Sequence, residues 1–150
     1  MPVGDYCTRE VIVMDGDEPV HVAAELMRRH HVGDVVLVEQ REDGRRVPVG
    51  IVTDRDLVVE LLAPGVALEG LAARDIVTDP LVRVQEGGSL FDALEQMRAH
   101  RIRRVPVVAA DGALVGILTV DDVIGLLAEM AVALGGVAER QADREARRRP

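Results

Sequence analysis

Gly50-Ile51-Val52-Thr53-Asp54-Arg55-Asp56 and Gly116-Ile117-Leu118-Thr119-Val120-Asp121-Asp122 are two copies of one pattern: glycine, two aliphatic residues, threonine, and an aspartate three positions on. An aliphatic run ending in Thr reads as a strand handing over to a helix, with Thr at the N-cap. A hydroxyl and a carboxylate at that spacing can satisfy each other's backbone N–H groups, as a capping box does with Glu, and the acid complements the helix dipole. The same pair at the exposed mouth of a strand-to-helix turn can hold a sugar diol, because a carboxylate accepts hydrogen bonds from two adjacent hydroxyls. Spacing alone favours capping over sugar binding.

The repetition extends well beyond the pattern. Asp5, Thr8, Ala23, Glu25, Met27, His30, Val35 and Val38 recur 70 positions later as Asp75, Thr78, Ala93, Glu95, Met97, His100, Val105 and Val108. A connector four residues longer in the first copy then shortens the offset to 66. Duplication on this scale implies two similar halves that pack on each other, and it directs the search for function to their interface.

Within each copy the hydrophobic period changes in the same order. Val11 to Val13 and Leu81 to Val84 read as short strands. Val20, Ala23, Ala24 and Met27, and then Leu90, Ala93, Leu94 and Met97, recur at helical spacing and give each copy an amphipathic helix. Pro19 suits the first turn of one and Ser89 the N-cap of the other. Two β-rich runs follow, Val35 to Val38 and Val47 to Val52, matched by Val105 to Val108 and Leu114 to Leu118, each pair joined by a polar or Gly-containing connector. Thr53 and Thr119 open second helices, expected to run to about Leu62 and Leu134. The predicted architecture is α+β, with β-α-β-β-α in each half: residues 5–63, a linker at 64–74 with a helical turn around Leu68 to Ala72, and residues 75–134. Residues 135–150 carry no sustained apolar stripe and are expected to be disordered.

Composition narrows the function classes. Hydrophobic residues make up 48% of the 150, yet Trp is absent and Tyr6 and Phe91 stand alone, so the core must be aliphatic and a base cannot be held mainly by stacking. The formal charge of -8 opposes general affinity for polyanionic nucleic acid. All 18 basic residues are Arg, as expected of biased genome composition. The stretch from Val123 to Ala138 is too short and too interrupted to span a bilayer, and the N-terminus lacks the pattern of an export signal. A lone cysteine, Cys7, cannot form an internal disulfide, and Arg9 is its one evident basic neighbour; a reducing cytosol is expected, and a catalytic thiol is not. His30, His31 and His100 lie at helix ends favoured by the dipole and lack further ligands at metal-binding spacing, so no metal site is expected.

The two Gly-x-x-Thr-x-x-Asp elements, the run His100-Arg101-Ile102-Arg103-Arg104-Val105-Pro106-Val107-Val108, and the order of strands and helices together resemble the CBS motif, named after cystathionine β-synthase. Residues 5 to about 134 look like a tandem CBS pair, or Bateman module. The resemblance implies two pseudo-symmetric motifs packed as one unit, acting as a non-enzymatic sensor of AMP, ADP, ATP or S-adenosylmethionine in clefts between the halves. The ligand would be regulatory, and no other cofactor is implied. It also implies a flat homodimer formed through helices, for which Val123, Leu126, Leu127, Met130 and Leu134 offer a face that could equally be internal core. An effector protein of unknown identity would read the signal. An enzyme such as IMP dehydrogenase would need a catalytic barrel of about 250 residues beside the pair. The competing reading is a ligand-free interaction module whose Thr and Asp residues serve only as caps.

Carried onto this sequence, the resemblance puts one site around Thr119 and Asp122, with Ile117 beside them and Thr8, Ile12 and Val32 from the first half. It puts the second around Thr53 and Asp56, with Ile51, Thr78, Val82 and Ile102. Just before the runs that begin at Val35 and Val105 the copies diverge: Arg103-Arg104 stands where the first half has Gly33-Asp34, and these arginines could also be solvated or pair with the acidic excess. A guanidinium grips phosphate oxygens in a bidentate fork, whereas Asp repels them. Assigning Arg103 and Arg104 to their own half's site leads to the expectation that the Asp122 cleft takes the phosphorylated nucleotide. The Asp56 cleft would then be empty or hold a less charged adenosyl group.

Overall fold

The structure, a computed structural model, describes residues 1–149. Each half is a three-stranded sheet with helices against it. In the first half β1 (Val13–Asp15) lies parallel to β2 (Asp34–Gln40), which pairs antiparallel with β3 (Arg46–Thr53). In the second half β4 (Val84–Gln85), β5 (Arg104–Val108) and β6 (Leu114–Thr119) repeat that order and those directions. Both central strands carry a register irregularity at the same place in the repeat, Leu37/Val38 and Val107/Val108. The first strands lie later than the hydrophobic runs suggest, and β4 is also shorter. The reason is that β1 is paired only where Val13, Met14 and Asp15 face Val36, Leu37 and Val38, and β4 only where Val84 and Gln85 face Val107 and Val108.

Helices α1 (Val20–His30) and α3 (Leu90–His100) bury most of the predicted stripes: Val20, Ala23 and Met27 in one, Leu90, Ala93 and Met97 in the other, with Leu94 half-buried and Ala24 exposed. Each fully buried Val, Leu or Met side chain contributes about 1.5–3 kcal/mol, and Tyr6, against the second half's core, is the one aromatic among the described residues packed on either core. Both helices end on a residue in the left-handed region, His31 at φ 55° and Arg101 at φ 56°, where Gly is the usual choice. The second helix of the first half starts as α2 (Asp54–Asp56) and continues to Leu62 with π-type winding.

Two features differ from the sequence reading. Helix α4 runs from Val120 to Arg148, so the stretch from 135 through 148 is helical and not disordered, while Pro150 lies outside the described residues. Its Ala, Glu, Gln and Arg content explains why: these residues have high helix propensity and need no apolar stripe to favour the helix. The linker does turn at Leu68, where Leu71 N–H donates to Leu68 O at 3.1 Å, but with Gly70 at φ 73° the turn is not helical. A 3-10 turn follows over Ala73–Ile76, whose Asp75 carboxylate accepts the Ala72 N–H at 2.8 Å.

The leading turn of each copy crosses to the other half. Val3–Asp5 forms a 3-10 turn whose Val3 and Gly4 N–H groups donate to Gly88 and Glu86 of the second half, and Val3 is fully buried in that half's core. Its repeat, Ala73–Ile76, does the reverse: Ala73 and Arg74 donate to Glu18 and Gly16, and Ala73 is buried in the first half's core. Between the sheets Val36, Val38 and Ile117 form a third apolar cluster, flanked by Val11, Val13, Ile51 and Leu114. This exchange carries Thr8 to the second half and Thr78 to the first.

Candidate functional site

Both Gly-x-x-Thr-x-x-Asp elements fold as their spacing dictates. Thr53 N–H donates to Asp56 Oδ2 at 2.8 Å, and Asp56 N–H donates back to Thr53 Oγ1 at 3.1 Å. Thr119 and Asp122 make the same two bonds at the same distances. The caps are therefore formed in both halves, and the question becomes what each aspartate does with its second oxygen. Among the described residues no donor reaches Asp56 Oδ1. Asp122 Oδ1 accepts from Thr8 Oγ1 at 3.4 Å, and Thr119 Oγ1 adds a bond to Oδ2 at 2.8 Å.

Thr8 is held there by backbone. Its N–H donates to Ile117 O and its carbonyl accepts from Ile117 N–H, both at 2.9 Å, in an isolated antiparallel bridge. Gly116 permits this approach: a Cβ there would stand 2.6 Å from Cys7 Sγ and 2.9 Å from Thr8 O. Thr8, Ile117, Thr119 and Asp122 thus converge as expected. Ile12 and Val32 are half-buried beside the first half's core and make no side-chain hydrogen bond to that group.

The other cleft is open. Thr53, Asp56, Ile51, Thr78, Val82 and Ile102, drawn from both halves, all line one cavity of about 410 Å³. This lies within the size range of small-molecule sites, roughly 300–1,000 Å³. Ile51, Ile76, Val77, Leu81, Val82 and Ile102 give it aliphatic walls. Thr78 is exposed and, unlike Thr8, forms no bridge to the isoleucine opposite it, Ile51.

Arg103 and Arg104 line this Asp56 cavity, and their assignment to the Asp122 cleft is corrected on that point. Ile102, Arg103 and Arg104 line it together, while the Arg103 guanidinium also reaches toward Asp121 in its own half. Arg55 and Arg101 also line it, together with Asp54, Asp56, Glu60 and Asp79. Arg104 is ion-paired with Asp34 of the first half, and Arg103 Nη2 lies 3.6 Å from Asp121 Oδ1. Arg55 and Arg101 escaped the sequence reading, although each adjoins a residue that reading had assigned to this cleft, Asp56 or Ile102.

The remaining candidates lack reactive geometry. Burial pushes the Cys7 thiol up, against the opposing pull of the Arg9 guanidinium, so it stays protonated at neutral pH. No group of three or more His, Cys, Asp and Glu side chains placed to hold a metal occurs among the described residues. No helix among them is long and apolar enough to cross a membrane.

Comparison with known proteins agrees with this architecture. The family model described as CBS domain matches twice, over residues 3–63 and 73–129. The chain belongs to the CBS domain family. It is 34% identical to Hypoxic response protein 1 of Mycobacterium tuberculosis over 128 residues, covering 85% of this chain and 86% of that one. An uncharacterized protein of Methanopyrus kandleri is 35% identical over 122 residues, which is 81% of this chain but 60% of the relative's length. Among solved structures, the CBS domain protein PAE2072 from Pyrobaculum aerophilum complexed with AMP superposes with a TM-score of 0.74 at 27% identity, covering 88% of this chain and 99% of that one.

Proposed function

We propose that this CBS pair is a non-enzymatic sensor of an adenosine-containing ligand, AMP, ADP, ATP or S-adenosylmethionine, and that the Asp56 cleft is its principal site. The observation that carries the reading is the single cavity in which Thr53 and Asp56 of one half meet Thr78, Val82, Ile102, Arg103 and Arg104 of the other. Asp56 Oδ1 is available for the ribose hydroxyls, the aliphatic walls suit the flat base, and the arginines suit phosphate. The AMP complex of PAE2072 supports the ligand class. A ligand bridging the halves stabilises one arrangement of them over others, and that difference is the signal a partner reads.

The signal also has a route to dimer state. Of the apolar face anticipated on α4, Val123 is buried and Leu126 packs against the second core. Ile124, Leu127, Met130, Leu134 and Val137 are exposed and would be covered by a second copy. Sedimentation with and without nucleotide checks this, since a monomer under both conditions removes the dimer.

Titration calorimetry with AMP, ATP and S-adenosylmethionine tests the sensor reading. Binding of at least one, lowered about tenfold for AMP but little for adenosine by Arg104→Ala, is expected from the loss of a charge-assisted phosphate contact. No heat and no thermal shift at millimolar ligand would favour the ligand-free module. The Asp122 cleft gives that second reading its best support, because both Asp122 oxygens already have partners within the protein.

A further inference from the structure

Asp34 and Arg104 occupy the same position in the two copies, so the approximate two-fold relating the halves sets a carboxylate against a guanidinium. Theirs is the most buried ion pair among the described residues, with side chains 19% and 27% exposed. By contrast Arg103 and Asp121 are 69% and 84% exposed, and such a pair is largely screened by water. Arg104 also lines the Asp56 cavity, so the same guanidinium serves the inter-half pair and the ligand cleft.

We propose that Asp34 is a positioning residue that sets the charge selectivity of the Asp56 cleft, by holding Arg104 in an inter-half ion pair with which a ligand phosphate must compete. The inference rests on the adenosyl reading of that cleft and deepens it. A guanidinium has donors enough for two anions, but a phosphate brought beside the Asp34 carboxylate meets like-charge repulsion across a half-buried gap where screening is weak. Asp54 adds to that repulsion: a Cβ placed on Gly33 would lie 3.3 Å from Asp54 Oδ2 and 3.8 Å from Arg104 Nη1, so a second carboxylate borders the same small space. A neutral adenosine leaves the pair intact. A phosphorylated nucleotide draws Arg104 away, and the halves lose their most buried ionic tie. Ligand charge is thereby converted into a change in how the halves are held, and by linkage the intact pair weakens phosphate binding by the same factor.

The test is calorimetric titration of AMP and of adenosine into the full chain, as wild type, Asp34→Asn, Arg104→Gln and the double variant, each first checked by thermal unfolding. Asp34→Asn is expected to raise AMP affinity about five- to tenfold while adenosine affinity stays within about twofold, a coupling of ordinary size. The AMP gain should vanish in the Arg104→Gln background, where the pair no longer exists to be broken. If Asp34→Asn does not fold, Asp34→Ser removes the same charge and is held to the same expectation. Binding of both ligands with an unchanged AMP-to-adenosine ratio overturns the inference alone, as does a gain that survives Arg104→Gln. Failure of both ligands to bind any of the folded proteins removes the adenosyl reading and this inference with it.

Discussion

The two clefts are built from the same repeated elements, yet the partner half's leading segment bridges to the strand at one and not at the other. At Asp122 the crossing segment is fastened to β6 by the Thr8–Ile117 bridge, and the Thr8 hydroxyl donates to Asp122 Oδ1 at 3.4 Å. At Asp56 the equivalent segment lines the cleft wall without bridging, which leaves about 410 Å³ and a carboxylate oxygen without a protein donor. Duplication therefore supplies two copies of a cap but not two equivalent sites. What separates them is how closely the partner half's leading segment approaches.

The largest expected effect comes from deleting the two aspartates in turn. Asp56→Ala should lower AMP affinity at least tenfold, through the loss of charge-assisted hydrogen bonds worth about 1.5–3 kcal/mol, whereas Asp122→Ala should leave it within about twofold. Both variants lose a capping box at a cost of about 1 kcal/mol, so thermal unfolding separates the shared structural loss from the unequal binding loss read by calorimetry. Equal binding losses would break the distinction between the clefts.

The glycines before the threonines give a smaller, purely structural contrast. Gly116→Ala drives a methyl into Cys7 Sγ and the Thr8 carbonyl, at 2.6 and 2.9 Å, and should destabilise the chain by about 1–3 kcal/mol. At Gly50 the nearest atom is a Val77 methyl at 3.1 Å, a side chain able to move, so Gly50→Ala should cost less than about 1 kcal/mol. At about 2–4 °C per kcal/mol the two melting temperatures should differ measurably.

The smallest effect concerns the left-handed helix ends. His31→Gly relieves an αL cost of about 1 kcal/mol and should raise the melting temperature by a few degrees at most, with AMP affinity unchanged. Arg101→Gly relieves the same cost but removes a cation from the Asp56 cleft, so its stability gain should come with weaker AMP binding. Unchanged AMP affinity in both variants would remove Arg101 from the site.

Much of this was legible before any coordinates. The core stripes on α1 and α3 follow from helical spacing, the strand-to-helix caps from Thr and Asp three apart, and six residues lining the Asp56 cavity, Asp56 among them, from the match to the CBS pattern. Arg103 and Arg104 show where such reading fails. Sequence places them beside Asp122, in their own half, and only the closing of the two halves brings Arg104 to the Asp56 cavity and to Asp34. Helix at residues 135–148 was missed for another reason: the absence of an apolar stripe says that a helix does not pack there, and says nothing against its forming.

By itself the sequence determined the duplication, the aliphatic core, the order of elements in each half and the identity of the two capping aspartates, because these depend on local periodicity and side-chain chemistry. Tertiary structure alone decided at which cleft the leading segment bridges to the strand, that Arg104 meets Asp34 across the interface, and that each copy's leading turn is buried in the other half. Those outcomes depend on distances between segments far apart in the chain, 70 residues for Asp34 and Arg104 and 114 for Thr8 and Asp122, fixed only when the two sheets close on Val36, Val38 and Ile117.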